Sequence, residues 1–362
     1  MRAAHSNLNP VLRGLAAAAL LVGLAACGSS SDATAPSTTS TTVAPTTTKA
    51  TTTTVAPTTT EPATTTTEPP PPVFPLTGVL ATDLGFLRPA LVVKIDNAPG
   101  ARPQTGFNAA DLVYEEIVND NLTRFAMVFQ SQGSDPVGPI RSGRMQDIDL
   151  FGSLSHPLFA WSGGNATVTA AIRASDLVDI GPSRAAAYYR SGDRSVPHNL
   201  YSNTTDLWSY APADARPPIQ QFAYRDADEA PAGTPSAGVD LTLDAVDVLW
   251  EWDPATGLYR RTMEGKAHND AAGGRVTTNN VVVLVMEYRP GISGSPDAQA
   301  LGSGEAFVFT GGNMVHGTWT RDDRLEPFTL TADDGSVIEL TPGRTFIELP
   351  RTGTTVPLPP PA

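Results

Sequence analysis

The chain has little with which to build covalent or metal-held structure. Cys27 is the only cysteine among 362 residues. That excludes an intrachain disulfide and a zinc site made of several thiolates. Lysine is nearly missing: Lys49, Lys94 and Lys266 are the whole set, so arginine is the default cation. The histidines, at positions 5, 156, 198, 268 and 316, show no close ligand spacing, and neither a metal nor a cofactor is expected. Positive charge is scarce as well, with 24 Lys and Arg against 37 Asp and Glu, a net −13. Binding by counterion release needs a basic face, so the balance argues against a nucleic-acid partner. There is no Gly-x-Ser-x-Gly elbow, phosphate-binding loop, dinucleotide fingerprint or EF-hand loop. The apolar run Leu15–Ala26 has 12 residues, short of the roughly 20 that span a bilayer.

That short run reads instead as an address. Arg2 and Arg13 precede it and no acid occurs before Asp32, the pattern of a secretory signal over residues 1–26. It ends in Leu24-Ala25-Ala26-Cys27 followed by Gly28, which resembles the bacterial lipobox. The resemblance implies that Cys27 is acylated and becomes the new N-terminus. Each buried CH2 is worth about 0.8 kcal/mol, so two or three acyl chains anchor firmly. Residues 27–75 follow as a Thr/Pro-rich segment with few apolar side chains. Such a segment does not bury enough surface to offset its ordering entropy. At about 3.1 Å per residue it would act as an extended tether, and its Thr/Pro content suits O-glycosylation. The expected location is the outer face of the cytoplasmic membrane.

The rest reads as α+β. A mixed α/β module is expected over 76–210, a linker over 211–235, a smaller β-rich module over 236–353, and a frayed Pro-rich tail over 354–362. The first module carries 10 Lys and Arg against 13 acids, while residues 211–353 carry 11 against 21. Strands are expected at Ala90–Ile95, Asp111–Val118, Thr123–Phe129 and Leu158–Trp161, and a helix capped by Asn165 over Ala166–Ser175. In the second half, Val246–Trp252, Leu258–Arg261, Asn280–Met286, Ala306–Phe309, Met314–Thr320 and Thr345–Leu349 read as strands of a small twisted sheet or sandwich.

Many short motifs, in order, are similar to those of the YerB-like family of bacterial lipoproteins. In the first half they are Arg88-Pro89, Val92-Val93-Lys94-Ile95-Asp96-Asn97, Ala101-Arg102-Pro103-Gln104-Thr105-Gly106, Ala110-Asp111-Leu112-Val113-Tyr114-Glu115, Thr123-Arg124-Phe125, Gly138-Pro139-Ile140-Arg141-Ser142-Gly143-Arg144 and Pro197-His198-Asn199-Leu200. In the second they are Tyr259-Arg260-Arg261, His268-Asn269-Asp270, Asn280-Val281-Val282, Gly302-Ser303-Gly304, Gly317-Thr318-Trp319 and Pro342-Gly343-Arg344-Thr345. The resemblance implies a membrane-anchored exterior protein with N- and C-terminal modules of unknown function. It carries no activity over.

Arg141-Ser142-Gly143-Arg144 is the most suggestive chemistry. Glycine lets backbone N–H groups approach a ligand, and arginine forks hold carboxylate or phosphate bidentately. Arg102, Gln104 and Arg124 sit in other matched segments and are expected to converge there. The plainer alternative pairs Arg141 and Arg144 with Asp147 and Asp149. His198, beside Asn199, is a general-base candidate, with Asp96 or Glu116 to orient it and Ser142 nearby; the alternative is a loop brace. His268-Asn269-Asp270 reads as a turn that caps its own backbone. Calcium at Asp96-Asn97 or Asn119-Asp120-Asn121 has no EF-hand pattern behind it. Trp161, Tyr188, Tyr189, Tyr201, Trp208 and Tyr210 read as packing rather than a sugar platform.

The leading expectation is a non-catalytic envelope binding module. It would contact an anionic or glycan wall component, or an envelope protein, through Arg141, Ser142, Arg144, Arg102, Gln104, Arg124, His198 and Asn199. The alternatives are a wall-polymer hydrolase or transferase using His198 with Asp96 or Glu116, and a scaffold or regulatory lipoprotein that binds only protein.

Overall fold

In the segment Leu91-Val92-Val93-Lys94-Ile95-Asp96 every side chain is buried, so both faces of this strand meet a core. The computed structural model describes residues 71–360. The expected signal peptide, Cys27 and most of the tether lie outside the described residues. We number β1 (Leu91–Asp96), β2 (Leu112–Ile117), β3 (Thr123–Phe129), β4 (Leu158–Ala160), β5 (Val178–Asp179), β6 (Tyr189–Arg190) and β7 (Leu200–Tyr201). The helices are α1 (Gln146–Leu150), α2 (Ala166–Ala174) and α3 (Thr204–Trp208).

One mixed sheet runs through both halves of the chain. Its order is Thr329–Ala332, Asn313–Arg321, Gly302–Thr310, Asn280–Leu284, Thr345–Glu348, β2, β3, β1, β4, β5. β3 is antiparallel to β1 and β2, while β4 lies parallel to β1 and Thr345–Glu348 parallel to β2. A second sheet orders Lys266–Ala267, Leu258–Met263, Val246–Asp253, Gly238–Leu243 and Thr355–Leu358. Its Val239, Leu241, Val248 and Trp250 share a core with Val93, Ile95, Val113 and Phe125. On the opposite face Val92, Tyr114, Ala126 and Val128 pack with Leu150, Phe151, Val168 and Ile172 from the helical segments. The period-2 alternation of strand side chains separates the two cores.

The fold is α+β, with short helices in the first half and a β-rich second half. Asn165 caps α2 as its sequence predicts, its Oδ1 accepting the Val168 N–H at 2.9 Å. The second half holds a sheet of its own and also lends five longer strands to the shared sheet, because Val281, Val283 and Ile347 are buried on strands flanked on both sides.

Three expectations are corrected. Segment 211–235 is not a bare linker: Gln221 is buried against Ser153 (Oγ–Oε1 2.8 Å), and Ala223–Tyr224 pairs with Glu339–Leu340. The end of the tether packs, with Phe74 buried and Val73 bridged to Leu80. The Pro-rich tail does not fray. Thr355–Leu358 lies antiparallel to Gly238–Leu243, and the Ala237 N–H reaches Pro359 O at 3.1 Å. An uncovered edge there would leave backbone groups without partners. Deleting residues 354–362 is therefore expected to lower stability by roughly 3 kcal/mol, several hydrogen bonds at about 1 kcal/mol each. An unchanged urea midpoint would refute this.

Candidate functional site

Charge gathers at one end of β1, on both faces of the sheet. Register places Asp96 of β1 and Glu116 of β2 opposite Arg124 of β3, so these three and Lys94 share one face. Glu115 pairs in register with Glu348 on the other face.

On the first face Lys94 is fully buried and forms ion pairs with Glu116 and with Asp147 of α1, the latter at 2.8 Å. Gln146 Nε2 donates to Glu116 Oε2 at 2.5 Å, and Asp147 Oδ2 accepts the Arg144 N–H at 2.6 Å. Burial pulls Lys94 down to about 8 against the attraction of Asp147, with Arg124 and Arg144 adding to the fall. The loop 138–144 is held on both flanks. The Asp96 N–H donates to Pro139 O and the Arg141 N–H to Lys94 O, at 2.9 and 2.8 Å, while the Ser162 N–H donates to Arg141 O at 2.9 Å.

The loop's side chains surround a pocket of about 350 Å3 lined by Arg141, Ser142, Arg144, Ser162, Gly163, Gly164, Asn165 and Arg190. Arg141 Nε lies 3.2 Å from Asp96 Oδ2, and Arg144 Nη2 donates to Asn119 Oδ1 at 3.1 Å. Beside them, Arg124 Nη1 donates to Ser142 O at 2.8 Å. Burial lowers Arg124 to about 9, and the charges of Arg144 and Arg141 add to the drop. Guanidinium groups crowded closely enough to disfavour one another's charge gain from an anion between them. His198 adjoins this cluster: its Nδ1 lies 2.7 Å from the same Asp96 Oδ2 that Arg141 contacts.

The structure thus brings Arg141, Ser142, Arg144 and Arg124 together, with the His198–Asp96 pair beside them. Other expectations are corrected. Arg102 turns toward the second half and forms a two-pronged pair with Glu264, at 2.8 and 3.0 Å. Gln104 is fully buried, donating to Asp96 O and Asn97 Oδ1. Asn199 braces its own loop, taking Arg190 Nη1 at 2.7 Å and donating to Ser191 O and Arg194 O. Glu116 is committed to Lys94 and Gln146 and does not orient His198. Arg141 finds its carboxylate in Asp96 rather than Asp147 or Asp149, and Arg144 meets Asp147 through its backbone N–H. Arg190 was not legible as a pocket residue, because only the β6–β7 pairing carries it to the rim.

The second network lies under the other face. Arg261 is fully buried, with Nη1 2.7 Å from His268 Nδ1 and ion pairs to Glu115 and, at 3.6 Å, Glu348. Arginine only donates, so His268 Nδ1 accepts, and its Nε2–H faces Gln104 Oε1 at 3.2 Å. Burial and the Arg261 charge hold His268 well below its ordinary value. His268 is therefore a core residue, which corrects the turn expectation. Asp270 does cap locally, accepting the Ala272 N–H at 2.9 Å.

Most of the aromatic side chains are held by packing and hydrogen bonds, while Tyr189 and Tyr210 are exposed. Trp161 Nε1 donates to Asp179, Tyr188 OH to Ile180 O and Trp208 Nε1 to Pro89 O, and the Tyr189 and Tyr201 rings stack at 6.2 Å. Among the described residues no group of three or more His, Cys, Asp or Glu is arranged to hold a metal ion.

Comparison with known proteins finds two family matches. Residues 76–216 match the model "Protein of unknown function (DUF3048) N-terminal domain" and residues 239–347 its C-terminal counterpart. The chain is 26% identical over 286 residues to "Putative lipoprotein YerB" of Bacillus subtilis (strain 168), across 76% of this chain and 85% of that protein. It is also similar to the crystal structure of the YerB protein from Bacillus subtilis. The TM-score is 0.69 at 22% identity, covering 78% of this chain and 98% of the other, a likeness of fold.

Proposed function

Since the chain belongs to the DUF3048 family, with both family regions present in order, we propose that it is a lipid-anchored extracytoplasmic module that binds an anionic cell-envelope component. The anchor is Cys27, in keeping with the name of its relative YerB. No helix among the described residues is long and apolar enough to cross a membrane. The observation that carries the binding reading is the pocket lined together by Arg141, Arg144 and Arg190, with Arg124 behind its Ser142 wall. The acidic second half, with 11 Lys and Arg against 21 acids, repels polyanions and directs them to this pocket.

The test is retention of the full chain, in detergent, on isolated wall polymer. An Arg141→Ala/Arg144→Ala double variant is expected to bind at least tenfold more weakly, since a hydrogen bond to a charged group contributes about 1.5–3 kcal/mol. Equal retention of the two proteins overturns the reading.

A further inference from the structure

His198 and Arg141 share one carboxylate oxygen, and that carboxylate is itself fixed. Asp96 Oδ2 receives His198 Nδ1 at 2.7 Å and Arg141 Nε at 3.2 Å, while Oδ1 accepts the Ala98 N–H at 3.1 Å. The Asp96 side chain is 4% exposed, that of His198 25%. A carboxylate only accepts, so in the neutral ring the proton sits on Nδ1 and Nε2 carries the lone pair. No other side chain among the described residues hydrogen-bonds the ring. Gly100 lies against it: a methyl group at that position would stand 3.1 Å from Cδ2. The imidazole is thus oriented by a buried acid and braced by backbone, with no side chain bonded to Nε2, and it adjoins the arginine pocket through its neighbour Pro197, which lines it, and through the Asp96 it shares with Arg141.

Resting on the anion-pocket reading, we propose that this site cleaves a phosphodiester, with His198 as general acid–base catalyst and Arg141 and Arg144 holding the phosphate. The nucleophile comes from the ligand. Ser142 and Ser162 face one another, Oγ to Oγ 3.4 Å, and neither is hydrogen-bonded to His198. The substrate class this step requires is a polyol phosphate with a hydroxyl adjacent to its phosphate. Intramolecular attack is worth effective molarities of about 10^5–10^8 M, which compensates for the missing protein nucleophile.

In the step, the neighbouring hydroxyl oxygen bonds to phosphorus as its proton passes to His198 Nε2. The P–O bond to the next polyol breaks, and the departing oxygen takes that proton back. The products are a cyclic phosphodiester and a shortened chain ending in a free hydroxyl. The guanidinium groups meet the charge that grows on the non-bridging oxygens. Asp96 is a positioning residue: it fixes the tautomer without touching the ligand.

The experiment incubates the full chain, in detergent, with synthetic poly(glycerol phosphate) and follows 31P NMR. Wild type is expected to produce cyclic phosphate. His198→Gln is expected to slow this at least 100-fold, the lower range for acid–base catalysis. Asp96→Asn is expected to lower kcat and, because Asp96 also holds Arg141, to raise KM. His316→Gln, on the distant strand Asn313–Arg321, serves as the unaffected control. Polymer that binds but is not cleaved overturns this inference and leaves the pocket reading standing, as does His198→Gln cleaving at the wild-type rate. Polymer that wild type does not bind overturns both.

Discussion

Arg261→Met is expected to lower the unfolding free energy by about 3–5 kcal/mol, the range for removing one member of a buried ion pair. The side chain is fully buried between Glu115, Glu348 and His268, so methionine leaves the Glu115 charge without its counterion. Glu348→Gln is expected to cost less than about 1 kcal/mol. Burial first, and the neighbouring Glu115 charge second, hold the Glu348 carboxyl well above its ordinary range, so glutamine mimics the protonated form that the fold favours. Glutamine keeps the oxygen that accepts Trp250 Nε1, at 2.8 Å in the native protein. Urea midpoints of the two variants check the contrast, and equal losses would refute it.

Glu348 and His268, both beside Arg261, give pH slopes of opposite sign. The folded state keeps a proton on Glu348 that the unfolded chain releases above about 4.5. This contribution is therefore complete below 4.5 and is lost as pH rises toward the folded-state value. His268 stays neutral in the fold where the unfolded chain takes up a proton below about 6.5. Its contribution is present above 6.5 and is lost as pH falls toward the depressed folded-state value. The stability advantage of wild type over Glu348→Gln should thus shrink as pH rises above about 4.5. A constant difference would mean Glu348 is ionised in the fold.

Lys94→Met should be comparably severe, about 3–5 kcal/mol, and should also weaken anion binding. Lys94 is the cation between Glu116 and Asp147, and Asp147 in turn anchors the Arg144 N–H. Without the ammonium, two buried carboxylates face each other and Asp147 is free to turn from the loop. The ion triad need not be a net stabiliser, since burial already pulls Lys94 down to about 8; it is the removal of one member that costs. The paired measurement is a urea midpoint and retention on wall polymer. A stability loss with unchanged binding would show that the Arg144 loop does not depend on Asp147.

Local structure was legible where local chemistry decides it. Thr123–Phe129 is β-branched and aromatic and forms a strand with those bounds. Asn165 stands one residue before Ala166 and caps its helix. The grouping of Arg141, Ser142 and Arg144 was legible because they are neighbours in one loop, and the structure sets all three around one pocket. Gln104 and Arg102 looked equivalent to them in sequence, yet Gln104 is drawn inward by Asn97 and His268 and Arg102 outward by Glu264. Their partners lie up to 164 positions away, and no local pattern encodes such a separation. The tail misled for a related reason: proline content argues for fraying, but the open edge of Gly238–Leu243 accepts it.

Composition and order alone determined that the folded body holds no intrachain disulfide, that arginine carries most of its positive charge, and which short apolar segments form strands. They did so because propensity, alternation and net charge are properties of short stretches or simple totals. Only tertiary structure decided which acids meet which cations. It set Asp96 beneath both His198 and Arg141, sent Glu116 to Lys94, and joined Glu115 to Arg261 across two sheets. Ion pairing in a buried core depends on distances of a few ångströms between strands remote in sequence, and those distances exist only once both sheets have packed.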